Sequence, residues 1–295
     1  MSLPVNGAAV ILYIGSSGAL SLIPFRKLLA TGQSISAVGV YNPLFFEQKI
    51  IAVENESLAL SAQQHAIPVI DFSQPVDDLL DQLGRLNIDL ILMSCYSKRL
   101  PDEIIRLASA GCFNMHPSLL PRYRGPEPIF WQMKDASDMG ISWHLVTHDL
   151  DAGDIVKQQK INLDEGLSFE EINLLLANTG AELMLTLLSD LSAPTPLLKT
   201  PQDEQLASYY PYPEKQDFSI DSTWTAQRAY NFMRATQAFG HVYLCQSAGH
   251  NLLLEKALDY DNNASLASVE VQGERLYIPF NEGVLIASYT GKLCS

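Results

Sequence analysis

The sequence predicts an α/β fold, a mostly parallel sheet with helices on both faces, followed by a small β-rich domain. Three observations predict it: buried-strand segments alternate with helical ones through the first half, Pro-rich chain follows, and the C-terminal part breaks into short alternating runs. Ala8 to Gly15 reads as a strand, Ala19 to Ala30 as a helix and Ile35 to Tyr41 as a strand, each punctuated by Gly, Ser, Asn or Pro. Pro68 to Phe72 reads as a strand, Val76 to Leu86 as a helix and Ile88 to Ser94 as a strand. Pro101 to Ala110 reads as a helix with Pro at its start and Gly111 past its end, and Cys112 to His116 as the next strand. Strands separated by helices imply parallel pairing, and such sheets bind ligands outside the carboxyl ends of their strands.

Beyond Pro117, Pro121, Pro126 and Pro128, the runs Gly140 to Thr147 and Asp154 to Leu163 flank the tight segment Asp149-Leu150-Asp151-Ala152-Gly153 and pair as a hairpin. Ser168 with Glu171 three residues on is a capping box, and Ile172, Leu175, Leu176, Leu183 and Leu187 recur at helical spacing to about Leu191, with Thr179 and Gly180 as the weakest point. Pro194, Pro196, Pro201, Pro211 and Pro213 then favour an extended connector. The expected domains are residues 1–205 and 206–295. The second holds a helix from about Thr225 to Thr236 and strands near Val242 to Leu244, Leu252 to Lys256, Ser268 to Val271, Leu276 to Ile278 and Val284 to Ser288, as in a small barrel or meander.

Composition narrows the function classes. The chain has 295 residues, 47% of them hydrophobic, enough for a substantial core. Lys and Arg total 19 against 33 Asp and Glu, a net charge of −14, which disfavours partners that need a broad basic surface, such as duplex nucleic acid or anionic lipid. Cys95, Cys112, Cys245 and Cys294 are scattered without a CxxC pair, so neither a disulfide framework nor a zinc site is expected, and a reducing cytoplasm fits. The longest apolar runs, such as Ile88 to Met93, fall short of a membrane span, and no secretory signal stands out; whether Met1-Ser2-Leu3 is native is left open.

Two places carry candidate chemistry. In a strand, residues two apart share a face, so Asn114 and His116 project together while Phe113 and Met115 face away. Pro117 ends the ladder and puts the pair at the strand's carboxyl end, where an amide donor and an imidazole make an oxyanion stabiliser and a general acid/base. The alternative is a strand-end Asn and His that satisfy backbone groups, and the local pattern does not separate the two. Asp151 is a candidate to orient an imidazole, although on spacing alone a turn Asp capping backbone amides is the favoured reading. His144, in a strand with Trp143 and Leu145 opposite, reads as a structural histidine. Tyr13-Ile14-Gly15-Ser16-Ser17-Gly18 fails both the GxGxxG and the P-loop spacing and reads as a turn with a helix cap. Trp131, Trp143 and Trp224 are isolated and read as core or interface residues rather than a base-stacking array.

Asn114-Met115-His116-Pro117-Ser118-Leu119-Leu120-Pro121 with Arg124-Gly125, together with Leu150-Asp151-Ala152-Gly153-Asp154-Ile155, resemble the two motif blocks of the 10-formyltetrahydrofolate-dependent formyltransferases. That family includes methionyl-tRNA, glycinamide ribonucleotide and sugar N-formyltransferases. The resemblance runs in outline from Ala8 to about Leu191 and implies a Rossmann-like catalytic domain. The tail resembles, weakly, the OB-like barrel of the methionyl-tRNA branch. The resemblance implies Asn114, His116 and Asp151 as a catalytic trio, with Asp151 raising the His116 pKa so that a protonated ring and the Asn114 amide donate to the formyl oxygen. It implies a role in one-carbon metabolism with 10-formyltetrahydrofolate as co-substrate and no metal. It places the folate against the backbone around Tyr96, Ser97, Lys98 and Leu100 and around Thr147 and His148. Lys98 and Arg99 are candidates for the folate's glutamate tail, with a solvated surface pair as the alternative.

Charge then separates the acceptors. The methionyl-tRNA branch carries a basic insertion after the second strand, where this chain has Tyr41-Asn42-Pro43-Leu44-Phe45-Phe46-Glu47-Gln48-Lys49. Tyr210 to Ser295 holds six Lys/Arg against nine Asp/Glu, where a tRNA-gripping domain should be basic. The expectation is formyl transfer to an amine on a small or carrier-bound substrate, an amino sugar or amino acid. Methionyl-tRNA as acceptor, hydrolysis of the formyl-folate, and folate binding without turnover are the alternatives.

Overall fold

A computed structural model describes residue 3, residues 9–42, 57–96 and 98–290, and the backbone of 45–46 and 49–50. Most of the expected insertion site at 43–49, together with Ser97, Cys294 and the first two residues, lies outside the described residues.

The first sheet has seven strands. They are β1 (Val10–Ile14), β2 (Ser34–Val40), β5 (Val69–Asp71), β6 (Leu90–Ser94), β7 (Gly111–His116), β8 (Met139–Leu145) and β9 (Ile155–Ile161), after a short hairpin, β3 (Phe45–Phe46) with β4 (Lys49–Ile50). The order is β5-β2-β1-β6-β7-β8-β9, with parallel pairing up to β7 and antiparallel pairing from β7 to β9. Period-two alternation sorts its core onto two faces. Leu12, Ile14, Ile91, Met93 and Cys112 lie on one face with Leu79 and Leu83 of α3 (Val76–Leu83) and Ile104 of α4 (Asp102–Ile105). Tyr13, on the other face, packs its ring 5.4 Å from Phe25 of α1 (Ala19–Ala30). The remaining helices are α2 (Leu58–Gln64), α5 (Pro128–Asp135), α6 (Phe169–Ser192) and α7 (Ala226–Thr236). The expected parallel sheet with helices on both faces is present.

Differences from expectation have local causes. The helix expected over Pro101 to Ala110 stops after Ile105, because the chain turns to bring the Ala110 N–H onto the Asp89 carbonyl at 2.7 Å and enter β7. At the start of α1 the cap position is Gly18, at φ 86°, with no side-chain cap. Ser21 ties the preceding loop to the sheet, its Oγ accepting from the Ser16 N–H and donating to the Ser94 carbonyl. Helix α6 begins at the expected capping box, with Ser168 N–H on Glu171 Oε2 at 2.7 Å and Glu171 N–H on Ser168 Oγ at 3.3 Å. It is long and apolar enough to cross a membrane by length and composition, which the sequence reading did not register. Its apolar stripe is nevertheless used within the fold. Leu176, Ala177, Ala181, Met184 and Leu187 are buried, and the Trp143 indole N–H donates to the Gly180 carbonyl at 2.8 Å. Gly180 allows this approach, since a Cβ there would stand 2.2 Å from Met115 Sδ.

The chain forms two compact units: residues 1–128, 139–161 and 173–210, and residues 129–138, 162–172 and 211–295. Two short excursions thus belong with the C-terminal chain, a division that a single boundary in sequence does not express. The second unit is β-rich. Its sheet runs β10-β11-β12-β15-β14-β13, from strands Ser219–Asp221, Tyr243–Ser247, His250–Asp261, Val284–Tyr289, Arg275–Pro279 and Glu270–Gln272 respectively. Its core is aromatic, with the Phe130 ring 5.0 Å from Phe218 and 5.5 Å from Phe232.

Candidate active site

The site grows out of the face of β7 that lies under α3 and α4. Cys112 is in that core, and the next residues on the same face are Asn114 and His116, at the carboxyl end of the parallel strands. Strand β8 runs antiparallel beside it and sets His144 opposite Asn114 and Ser142 opposite His116. Directly opposed residues share a face, so four polar side chains gather there while Trp143 and Met115 point to the other side. Ser142 is buried and ties down the loop after β7: its Oγ donates to the Ser118 carbonyl at 2.7 Å and accepts from the Leu120 N–H at 3.2 Å and Gln158 Nε2 at 2.8 Å.

Asp151 reaches this face from the loop between β8 and β9. It holds φ 53°, in the left-handed region that non-glycine residues seldom occupy, and is 8% exposed. Its Oδ2 accepts the Gly125 N–H at 2.9 Å and lies 3.7 Å from His116 Nδ1, while Oδ1 lies 3.5 Å from His144 Nε2. Gly153 makes the tight return possible, because a Cβ there would stand 2.0 Å from the Leu145 carbonyl oxygen.

Hydrogen-bond chemistry fixes the rings. His116 Nε2 is 2.8 Å from the Tyr123 carbonyl, which can only accept, so Nε2 carries a proton and Nδ1 faces Asp151. His144 Nδ1 donates to the Leu145 carbonyl at 2.8 Å, and its Nε2 forms a hydrogen bond with Asn114 Nδ2 at 3.2 Å. That bond orients the Asn114 amide and leaves its second N–H for a substrate oxygen. Burial lowers the His116 pKa below its ordinary value, outweighing the upward pull of Asp151 and of the Tyr123 carbonyl. The expected upward pull of Asp151 on this pKa is present, but burial outweighs it, so the net shift is downward and the resting ring is neutral near pH 7. Burial pushes the Asp151 carboxyl up, but His116, His144 and the Gly125 N–H together hold it below the usual carboxylate range, so it is an anion.

The Pro-rich connector is a strap bonded to the site. Thr200 and Ile155 exchange backbone bonds at 2.8 and 2.9 Å. Arg124 donates its N–H to Ser208 at 2.9 Å and accepts from the Tyr210 N–H at 2.9 Å. The buried Arg124 guanidinium grips both Glu204 carboxylate oxygens, at 2.7 and 3.0 Å, and Gln202 Oε1 at 2.9 and 3.1 Å. Tyr209 is 58% exposed, and its hydroxyl pKa is pushed up by desolvation and by the nearby Asp151 carboxylate.

The structure also joins the two segments expected to face a folate. Arg99 and His148 are in contact, and His148 Nδ1 lies 3.4 Å from Asp102 Oδ2. Leu100 is buried in the core, with Val146 packed against the same cluster. Tyr96 sets its ring edge-on to Phe72 at 6.1 Å, Lys98 Nζ stands 5.2 Å from the Tyr41 ring centroid, and Thr147 Oγ1 donates to the Asp149 carbonyl at 3.0 Å. Of the expected site residues, Asn114, His116 and Asp151 converge; Ser97 lies outside the described residues. The sequence marks His144 as structural and does not single out Gln202 or Tyr209. For His144 the signal lies in strand register, which the sequence does not print; for Gln202 and Tyr209 it is the course of the strap.

Residues 53–188 match the formyl transferase family. A methionyl-tRNA formyltransferase of Thermotoga sp. strain RQ2 is 31% identical over 188 residues, which cover 62% of this chain and 59% of that protein. One from Moorella thermoacetica is 30% identical over 272 residues, covering 91% of this chain and 84% of that protein. The chain belongs to the formyltransferase family. Because this formyltransferase chain spans only 59% of the Thermotoga relative's length, that match carries family membership and not the relative's activity. An N-formyltransferase from Helicobacter canadensis, solved with folinic acid and dTDP-3-aminofucose, superimposes with TM-score 0.69 at 16% identity over 95% of this chain and 99% of that one. The formyltransferase fold is thus common to both chains.

Proposed function

We propose that the protein transfers the formyl group of 10-formyltetrahydrofolate to a primary amine on a small or carrier-bound substrate, with residues 1–205 as catalytic domain and 206–295 as an accessory β-rich domain. The observation that carries the reading is the buried Asp151 anion beside a neutral His116, next to an Asn114 amide whose orientation His144 sets. The amine nitrogen attacks the formyl carbon, and negative charge develops on the formyl oxygen, where the second Asn114 N–H donates. His116 Nδ1 takes the proton that the attacking amine must lose, and Asp151 stabilises the resulting imidazolium. The same proton then passes to the departing folate nitrogen as the carbon–nitrogen bond breaks. Nδ1 is the basic atom because Nε2–H is held by Tyr123. No step asks for a metal.

The backbone of residues 96–100 and 146–150 is the proposed folate contact, and the folate in the Helicobacter structure is consistent with that class of donor. The acidic excess favours a small or carrier-bound acceptor, in line with the amino sugar nucleotide of that same structure. Methionyl-tRNA is the second reading, favoured by the Moorella relative, whose length the chain largely covers. A cytoplasmic setting suits the free thiols of Cys95, Cys112 and Cys245.

The test offers 10-formyltetrahydrofolate with nucleotide-linked amino sugars, carrier-bound amino acids and methionyl-tRNA in parallel, and identifies the formylated product by mass spectrometry. Product from a small or carrier-bound amine supports the proposal. Product from methionyl-tRNA alone installs the second reading, and tetrahydrofolate release independent of any amine installs hydrolysis.

A further inference from the structure

We infer that Gln202, on the strap, is a positioning residue that holds the Asp151 loop in its working conformation; this rests on the proposed role of Asp151. One side-chain amide saturates the site's backbone. Gln202 Nε2 donates to the Asp151 carbonyl at 2.8 Å and to the Gly153 carbonyl at 2.7 Å, so both of its hydrogens are used. Its Oε1 accepts from Arg124 Nε at 3.1 Å and from a terminal guanidinium nitrogen at 2.9 Å.

The position matters because the loop is costly to hold. Asp151 sits at φ 53°, outside the region its side chain prefers, and the Gly153 return brings the backbone against the Leu145 carbonyl. Asp151 is gripped twice from one corner of the fold. The Gly125 N–H takes the carboxylate, while Gln202, anchored by the neighbouring Arg124, takes the main-chain carbonyl. Side-chain aim and backbone conformation are thus set by adjacent residues of one loop acting with the strap. Gln202 makes no contact with His116 or Asn114 among the described hydrogen bonds, so its effect passes through Asp151.

Glutamate at this position separates donation from packing, because a carboxylate still accepts from Arg124 but donates nothing to the loop. The experiment measures kcat and KM for 10-formyltetrahydrofolate, together with thermal midpoints, in Gln202→Glu, Gln202→Ala and Asp151→Asn. The expected result is a loss of kcat on the order of 10²-fold in both Gln202 variants, with KM little changed and both variants folded, the thermal midpoint of Gln202→Glu falling because a carboxylate oxygen then meets the Asp151 and Gly153 carbonyls. In Gln202→Ala the acid limb of the rate profile moves to lower pH, because a displaced Asp151 no longer supports the protonated His116 ring. Full kcat in Gln202→Glu beside an inactive Asp151→Asn overturns the inference alone. Full kcat in Asp151→Asn overturns the underlying reading as well.

Discussion

His116 Nδ1 and Asp151 Oδ2 face each other across 3.7 Å, both side chains nearly closed to solvent, one delivered by a strand end and the other by a strained loop. A buried carboxylate at that distance favours a proton on the ring only when one arrives, since burial keeps the resting imidazole neutral. The arrangement is a proton acceptor whose charged form is stabilised in advance.

Replacing His116 by Asn removes the base and gives up the hydrogen bond that Nε2 makes to the Tyr123 carbonyl. Formyl transfer should fall by about 10²- to 10⁴-fold, in kcat more than in KM, while circular dichroism stays that of the parent. A rate within a factor of two of the parent would remove His116 from the chemistry.

The same pair predicts how stability depends on pH. The His116 pKa is lowered from its ordinary 6.5, so below that pH the unfolded chain binds more protons than the folded one. This contribution is present above pH 6.5 and is lost as pH falls towards the folded value. Asp151, lowered from 3.8, adds a loss of the same sign in stronger acid. Urea midpoints measured from pH 7.5 to 5 should fall faster for the parent than for His116→Asn. Parallel curves would show that the folded and unfolded His116 titrate alike.

Ser142→Ala should destabilise the protein by about 1–3 kcal/mol, because it leaves the Ser118 carbonyl and the Leu120 N–H without their hydroxyl partner. Activity should fall too, since the loop so released carries the Tyr123 carbonyl that fixes the His116 tautomer. Thermal and urea unfolding read the first effect and steady-state rates the second.

Gly153→Ala places a methyl group 2.0 Å from the Leu145 carbonyl oxygen, and backbone must move to admit it. The expected cost is about 1–3 kcal/mol with a disproportionate loss of kcat, because Asp151 moves with the loop. An active, fully stable variant would show that the β8–β9 loop tolerates another course.

How far the sequence reached depends on what each feature rests upon. That Asn114 and His116 share a face at a strand end was legible because period two is a local property of a strand and Pro117 marked its end, although that pattern alone did not separate a catalytic pair from a structural one. The capping box at Ser168 and Glu171 was legible for the same reason, since its bonds close within one turn. Asp151 was not: turn chemistry explains an Asp there equally well, and only the family resemblance singled it out. His144 read as a structural histidine, and its contact with Asn114 was not legible because that contact is set by the antiparallel register of β8 on β7, a long-range relation. Gln202 and Arg124 meet across 78 residues, and the prolines that disguised the strap as a plain connector also keep it extended enough to lie along the site loop. The α4 helix was overextended because propensity said nothing of the turn that returns the chain to Asp89.

Amine-dependent formyl transfer through Asp151 and His116 is open to one decisive assay. The most direct measurement is the release of tetrahydrofolate from 10-formyltetrahydrofolate by the full chain, with and without a nucleotide-linked amino sugar or carrier-bound amino acid, in the parent and in Asp151→Asn. Release should require the amine, match formylated product one for one, and drop by at least about 10²-fold in the variant. Release at the parent's rate in Asp151→Asn, or release indifferent to every amine, would contradict that mechanism.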